Sequence, residues 1–395
     1  MRTERTPRAS VFEMRRVLVA GWVGSTNLGD ELVLAGVRRL VLDALGTGVR
    51  IAAVSVAPTT TRRTHGIAAI DHRRLDLIAA AARSADLVVL GGGGLVQDET
   101  SPFNLPYHLS RVWAAQRAGT PWVGLALGVG RLDTRPGRRL ATSLRHAVAV
   151  TVRDAPSLAL LDDLEVPARL AADAVVHLAS PEDPPPGVEV EASGRSPRPA
   201  AGPPEDVLTV SLRPWSGPGG LLPVSWRHTT GEVEATFVGT VAAALDRTVA
   251  RTGLPVRFVA LQTDRDAQLH AQVAARMSTP TQQVVPGLHD VLAEVGRGRA
   301  VIAMRYHAAL AATLAGRPSV AIGYSPKVDA LAGQLGAGSR ALAFTDDDLS
   351  RLDDAVVDLL GDEQAATTAV TTARSQLQRD ARVNLEVLRE VAGTG

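Results

Sequence analysis

Residues 16–57 read RVLVAGWVGSTNLGDELVLAGVRRLVLDALGTGVRIAAVSVA, and three patterns within them decide the fold. Residues 16–22 are an apolar run stopped by a glycine-rich turn, the length of a buried strand. Residues 31–44 place apolar side chains at helical spacing, and residues 50–57 return to a short apolar run. Strand, helix, strand in that order predicts a parallel sheet covered on both faces. Further strands are expected at 85–90, 122–127 and 147–152, with helices between them.

Residues 181–206, PEDPPPGVEVEASGRSPRPAAGPPED, break the alternation with eight prolines and almost no bulky apolar residue. Such a segment cannot pack a core and reads as a linker or surface loop. Alternation resumes with strands at 207–212, 256–261, 300–304 and 319–323 and helices at 232–251, 264–277 and 307–315. The expected fold is α/β, two Rossmann-like domains facing a cleft. The N-terminal domain is expected over 14–180 and the C-terminal one over 207–345. Helices over 346–395 are expected to cross back to the first domain. Residues 1–13 are expected to be a disordered lead-in, with Met14 as the start.

The chain has 395 residues, 45% hydrophobic and 21% charged, with a formal net charge of +1. No global field recruits nucleic acid or an anionic membrane, so no nucleic-acid partner and at most peripheral membrane contact are expected. The absence of cysteine excludes disulfides, thiolate catalysis and a Cys-ligated zinc. No run approaches the roughly 20 apolar residues of a membrane span, so a cytoplasmic protein is expected, working at most at the inner face of the membrane. Lys327 is the only lysine in an arginine-rich chain. A compact, titratable ammonium does chemistry that a planar guanidinium cannot.

Ligands of open parallel sheets bind beyond the carboxyl ends of the strands, so the loops after strands carry the information. After the first strand comes GWVGSTNLGDE, residues 21–31. Asn27 suits a helix cap and Glu31 the first helical turn. Asp30 is left without a structural reason, since one acid suffices there. The glycine spacing does not match a dinucleotide fingerprint. The second site is DLVVLGGGGLVQDETS, residues 86–101, where a strand runs into four glycines. Gly92, Gly93 and Gly94 are expected to form a backbone cradle for an anion or a sugar, with Gln97, Asp98, Thr100 and Ser101 offering polar groups to hydroxyls. Arg213 ends the first strand of the second half. In VIAMRYHAALAATLAGRPSVAIGYSPKV, residues 301–328, Arg305 and His307 fall at a strand-to-helix turn, where anions are held. Lys327 follows the next strand.

These stretches resemble the polysaccharide pyruvyl transferase family, including its bacterial cell-surface-anchoring type. The likeness rests on NLGDE, GGGGLVQDETS, VRDAPS (residues 152–157), MRYHAAL and YSPKV, in family order across nearly the whole chain. It implies a GT-B-like fold and transfer of a pyruvyl unit from phosphoenolpyruvate to a cell-wall or exopolysaccharide glycan, closing a pyruvate ketal. The acceptor implied is a glycan, lipid-linked in cell-wall precursors; no cofactor and no metal are implied. Arg213, Arg305, His307 and Lys327 become the expected donor-binding set. His307 is the expected proton carrier, because an imidazole titrates near neutrality. Asp30 or Asp98 is the expected base for the hydroxyl. The chain departs from the family pattern at Tyr306, usually leucine, at Ser325, often aspartate, and at Phe103 and Asn104, commonly an Arg-Ser pair. The alternatives are a GT-B glycosyltransferase using a sugar nucleotide and a catalytically silent sugar- or nucleotide-binding protein of the same fold.

Overall fold

Short apolar runs separated by glycine and amphipathic stretches leave the backbone one economical solution, parallel strands with their helices laid across both faces. The computed structural model describes residues 16–99, 101–179, 197, 202–214, 231–323, 331–333 and 335–393. Its first sheet has seven parallel strands: β1 (Arg16–Ala20), β2 (Arg50–Ser55), β3 (Ala68–Asp71), β4 (Leu87–Val96), β5 (Trp122–Val129), β6 (Ala149–Val152) and β7 (Arg169–Leu170). Their spatial order is β3-β2-β1-β4-β5-β6-β7. The second sheet holds β8 (Glu205–Ser211), β9 (Val256–Val259), β10 (Thr281–Val284), β11 (Gly298–Ala303), β12 (Ser319–Gly323) and β13 (Ser339–Ala343), in the order β10-β9-β8-β11-β12-β13. Both are doubly wound, and each has a switch point beside its first strand, between β1 and β4 and between β8 and β11.

The helices are α1 (Leu28–Leu45), α2 (Pro58–His65), α3 (Leu75–Ser84), α4 (Asn104–Ala118), α5 (Arg135–Ala141), α6 (Ala155–Asp163), α7 (Gly231–Thr252), α8 (Arg265–Ala274), α9 (Val291–Val295) and α10 (Tyr306–Leu314). Two short helices, Asp346–Ser350 and Leu352–Gly361, precede a long terminal helix, Glu363–Gly393. One apolar cluster runs from Leu32, Val33 and Val37 of α1 through Val175 and Val176 to Ala308 and Leu310 of α10 and Leu385 of the terminal helix. A single core thus joins the two sheets, and separate clusters fill their outer faces.

The structure differs from the sequence reading at several boundaries. The first strand stops at Ala20, and α1 starts at Leu28 because Asn27 caps it there. β4 does not end before the glycines but continues through them to Val96, with Gly92 and Gly93 at φ +53° and +80°. The pairing with β5 shifts register just after them, between Gly93 and Val96, so the strand bulges there instead of ending in a turn. α2, β3, β7, β10 and β13 are additional elements. β8 begins at Glu205, two residues inside the expected linker; most of that segment, and residues 1–13, lie outside the described residues. Among the described residues no helix is long and apolar enough to cross a membrane, and no group of three or more His, Asp or Glu is placed to hold a metal ion.

The terminal helix is fastened by Asn384, which is fully buried. Its Oδ1 accepts from Thr151 Oγ1 at 2.6 Å, and its Nδ2 donates to the Ala172 carbonyl at 2.9 Å. Asn384→Ala strands a hydroxyl and a carbonyl in the core. The expected loss is about 1–3 kcal/mol in urea unfolding, whereas a surface change such as Gln364→Ala should leave the midpoint in place.

Candidate active site

The loop after β1 is held in shape before it reaches α1. Gly24 has φ +82°, and a Cβ there would lie 2.2 Å from Ser55 Oγ. Its N–H donates to Glu31 Oε1 at 2.7 Å, and Glu31 Oε2 pairs with His65 at 2.8 Å. Glu31 is buried, so its part is to tether this loop, which the helix-dipole reading did not anticipate. Asn27 Oδ1 accepts from Gly29 N, as expected of the cap. Asp30 lies half-buried beside it, its Oδ2 accepting from Asn27 Nδ2 at 2.8 Å and from Ser25 Oγ at 3.2 Å. Burial pushes the Asp30 carboxyl above its ordinary range, although the charge of nearby His307 and these two bonds pull it down.

The glycine run divides into two parts. A Cβ on Gly92 would lie 2.1 Å from Val33, and one on Gly91 would crowd Val37, so these two let α1 press onto β4. Around Gly93 and Gly94 the space is open. Trp22, Asp30, Val33, Gly91, Gly92, Gly93 and Leu95 border a crevice whose free volume, about 10 Å³, holds no more than one water. The polar residues beyond the glycines have local work. Asp98 accepts from Asp133 N at 2.7 Å, Thr134 N at 3.0 Å and Thr134 Oγ1, which fixes the entry to α5. The Gln97 carbonyl accepts from Asn104 Nδ2, and Ser101 Oγ accepts from Phe103 N at the start of α4. Thr100 lies outside the described residues.

At the second switch point Arg305 occupies the cap position of α10. Its fork is engaged: Nε and Nη2 donate to the two oxygens of Asp266 at 2.5 and 2.6 Å, and Nη2 also reaches Gln262 Oε1 at 3.0 Å. Asp266 is fully buried and accepts further from Leu261 N and Gln262 N. Arg305 was expected to be an anion clamp whose removal spares the fold; here it neutralises a buried carboxylate. Arg213 is half-buried two residues past β8, with Nε donating to the Pro214 carbonyl at 3.3 Å. Lys327 lies outside the described residues.

His307, in the first turn of α10, faces the other half of the molecule. A Cβ on Gly29 would lie 2.3 Å from its Nδ1, so the glycine of NLGDE is required for the imidazole to seat against α1. Its Nε2 is buried without a hydrogen-bond partner, 3.7 Å from Asp173 Oδ2, within ion-pair reach but too long for a hydrogen bond. Asp173 is buried and accepts from Arg153 Nη1 at 2.9 Å and from Val175 N at 3.0 Å. The Arg153 guanidinium stands 4.1 Å over the Tyr306 ring. Burial alone would raise the Asp173 carboxyl; the proximity of His307, Arg153 and the Val175 N–H reverse this and hold it below the carboxylate range. Burial likewise opposes the charge on Arg153, which Tyr306, Asp173 and Asp154 keep in place.

The structure therefore brings Asp30 and His307 together, with Arg305 two residues before His307 on its own carboxylate, and gives the Asp98 carboxylate hydrogen bonds to the 133–134 loop. Arg153 and Asp173 were not among the expected residues. Arg153 could have been found by the signal that selected Arg213, a charge at a strand's carboxyl end. Asp173 offered only an acid within the apolar run AADAVVHL.

The family model for polysaccharide pyruvyl transferase matches residues 27–326, from the cap of α1 past the end of β12. The chain belongs to the polysaccharide pyruvyl transferase family. Membership makes it a transferase of polysaccharide biosynthesis, and the match includes Asp30, Arg153, Asp173, Arg305 and His307. No curated protein matches the chain. Among solved structures it is similar to UDP-GlcNAc 2-epimerase from Neisseria meningitidis bound to UDP-GlcNAc, with a TM-score of 0.59 and 10% identity over 95% of this chain and 100% of that one. A glycosyltransferase from Rickettsia africae gives 0.55 and 13%, covering 96% and 99%. Anabaena HepE in complex with UDP-glucose gives 0.55 and 14%, again covering 96% and 99%. At such identities the likeness shows the fold, which is GT-B-like.

Two expectations follow from the geometry. Arg305→Ala leaves Asp266 buried and unpaired, so it should cost about 3–5 kcal/mol in denaturant unfolding, and adding Asp266→Asn should restore much of that loss. For Asp30 the folded-state value is raised, so its ionised form is the one folding disfavours, and that penalty is present above the folded value and absent below the unfolded one. Asp30→Asn should therefore raise the melting temperature at neutral pH. The gain should shrink as the pH falls toward about 4, the ordinary aspartate value. A constant gain across that window would assign the effect to packing.

Proposed function

We propose that this transferase moves the pyruvyl unit of phosphoenolpyruvate onto a sugar of a cell-wall or exopolysaccharide glycan, forming a cyclic ketal and releasing phosphate. The observation that carries the reading is His307. It carries a buried Nε2 without a hydrogen bond, with Asp173 behind it and the carboxyl of Asp30 near enough to feel its charge. A binding protein that only holds a sugar or nucleotide has no need of a titratable group so placed.

The chemistry uses what the seam supplies. Asp30 takes the proton of the first sugar hydroxyl as its oxygen bonds to C2 of the donor, and His307 delivers a proton to C3, which becomes the methyl group. Phosphate then leaves C2 with its bonding electrons, the second hydroxyl bonds there, and its proton returns to the seam. One donor and one diol thus give one ketal and one inorganic phosphate. Asp98 is set aside as the base because its oxygens are occupied by the 133–134 loop. The donor's carboxylate and phosphate need fixed cations. Arg213 follows β8 and is the first of the proposed set; Arg305 follows β11 with its Nε and Nη2 held by Asp266, so only its remaining Nη1 edge is proposed for the donor, and Lys327, from its sequence position, is the third. The glycan acceptor approaches from the first-sheet side, where Asp30 lies; lipid linkage and work at the inner membrane face belong to this proposal.

Phosphoenolpyruvate should raise the melting temperature, by the equivalent of about 2.7 kcal/mol at 100 times its dissociation constant, and UDP-sugars should not. A shift with UDP-sugars alone would favour the sugar-nucleotide glycosyltransferase. His307→Gln keeps hydrogen-bonding capacity without titrating near neutrality. It should retain donor affinity by calorimetry while phosphate release falls about 100-fold or more. Normal turnover in that variant would remove His307 from the proton path.

A further inference from the structure

The chain is poor in aromatic residues, 3% in all, with three tyrosines and five tryptophans. One of each meets in a cluster outside the proton path. Trp22, the residue after the glycine that ends β1, is 41% exposed. The Tyr107 ring lies 5.8 Å from it at 65° and the His108 ring 6.3 Å away at 78°, both edge-to-face. These partners are themselves fixed. Tyr107 Oη bonds His72 Nδ1 at 2.9 Å, and the Arg111 guanidinium covers the Tyr107 ring at 3.5 Å. His108 is buried, and that burial pushes it down to about 3, so the imidazole beside the indole is neutral. From the other side, the Glu31 bond to Gly24 N holds the Trp22 loop.

An exposed indole braced this firmly loses little conformational freedom when a ligand covers it. The same Trp22 borders the crevice that contains Asp30 and the bulged glycines. Flat apolar surface, a carboxylate and bare backbone side by side are the groups that a sugar ring engages, through its C–H face, its hydroxyls and its edge. The crevice is too narrow to admit a ring. We propose that Trp22 is the platform for the acceptor pyranose, which lies over the mouth of the crevice and directs one hydroxyl inward to Asp30. This rests on the transfer reading above for the identity of the acceptor. Phe103, 71% exposed and one turn before Tyr107 on α4, would then extend the aromatic surface toward the next sugar of the chain.

The test separates the platform from the transfer chemistry. Tryptophan fluorescence of the full-length protein and of Trp22→Phe is titrated with methyl glycosides of glucose, galactose, N-acetylglucosamine and N-acetylmannosamine, with sorbitol as a control lacking a ring. A saturable change with one or more glycosides, absent with sorbitol and lost in Trp22→Phe, is expected. It stands whether or not phosphoenolpyruvate is turned over. In the transfer assay Trp22→Ala should raise the acceptor KM about tenfold or more, Trp22→Phe less, and the phosphoenolpyruvate KM should stay within about twofold; tenfold is about 1.4 kcal/mol. If Trp22→Ala melts below the assay temperature, Trp22→Phe carries the comparison. An unchanged acceptor KM, both KM values rising together, or no Trp22-dependent signal with any glycoside would overturn the platform, the first of these while leaving the transfer reading intact.

Discussion

Asp173 is a carboxylate with almost no exposure to water, placed where the two sheets meet. An isolated charge in that position would be prohibitively unfavourable, and its partners are what make it tolerable. Arg153 supplies the countercharge, and Val175 N and the nearby His307 add to it. Arg153 comes from the end of β6, and its guanidinium covers Tyr306 of the second half. The pair therefore ties both halves of the molecule to one electrostatic centre. Around it the backbones are joined directly: Leu28 N donates to the Leu261 carbonyl, and Asn27 bridges Gln262.

This arrangement makes the site a property of the seam. Asp30, Gly29 and Asp173 belong to the first half, His307 and Arg305 to the second. Each sheet delivers its groups through the same device, a loop at the carboxyl ends of the strands next to the switch point. The imidazole is on α10, yet the surface that seats it is Gly29 of α1 and the acid behind it follows β7. Neither half holds a complete set, so anything that parts the sheets disperses the groups that would handle protons.

The architecture was legible because period and punctuation are local properties. An apolar run ended by glycine, then a helical stripe, specifies strand and helix without knowledge of the rest of the chain. Asp30 and His307 were legible for the same reason, as chemistry left over once local roles were assigned. Partners distant in sequence were not. Arg305 gave no sign that Asp266, 39 residues earlier, already occupied its fork. Glu31 looked like a helix-dipole acid because neither Gly24 N nor His65 can be inferred as its partner from spacing. The packing of the four glycines was not legible either. A turn explains neither their number nor their order, whereas the demand of Val33 and Val37 for room on one side and a bulge on the other explains both.

The proposed division of labour around His307 follows from how differently its two carboxylates are surrounded. Both are drawn from water, which by itself favours their neutral forms. Asp173 has His307 close by and a buried guanidinium and a backbone N–H on its oxygens, and together these more than reverse the effect. Asp30 has the nearby charge of His307, an amide and a hydroxyl, and burial still prevails. The environments thus push the two apart in opposite directions. Two like groups separated in this way can take unlike roles, one remaining charged and the other poised to exchange a proton. Exchanging the environments would abolish the distinction: with a guanidinium beside Asp30 its carboxylate would be too weak a base for a sugar hydroxyl. Without Arg153, Asp173 would lose the fixed countercharge on its oxygens. The proposed division therefore needs its arginine on Asp173 and not on Asp30, and the end of β6 places it there.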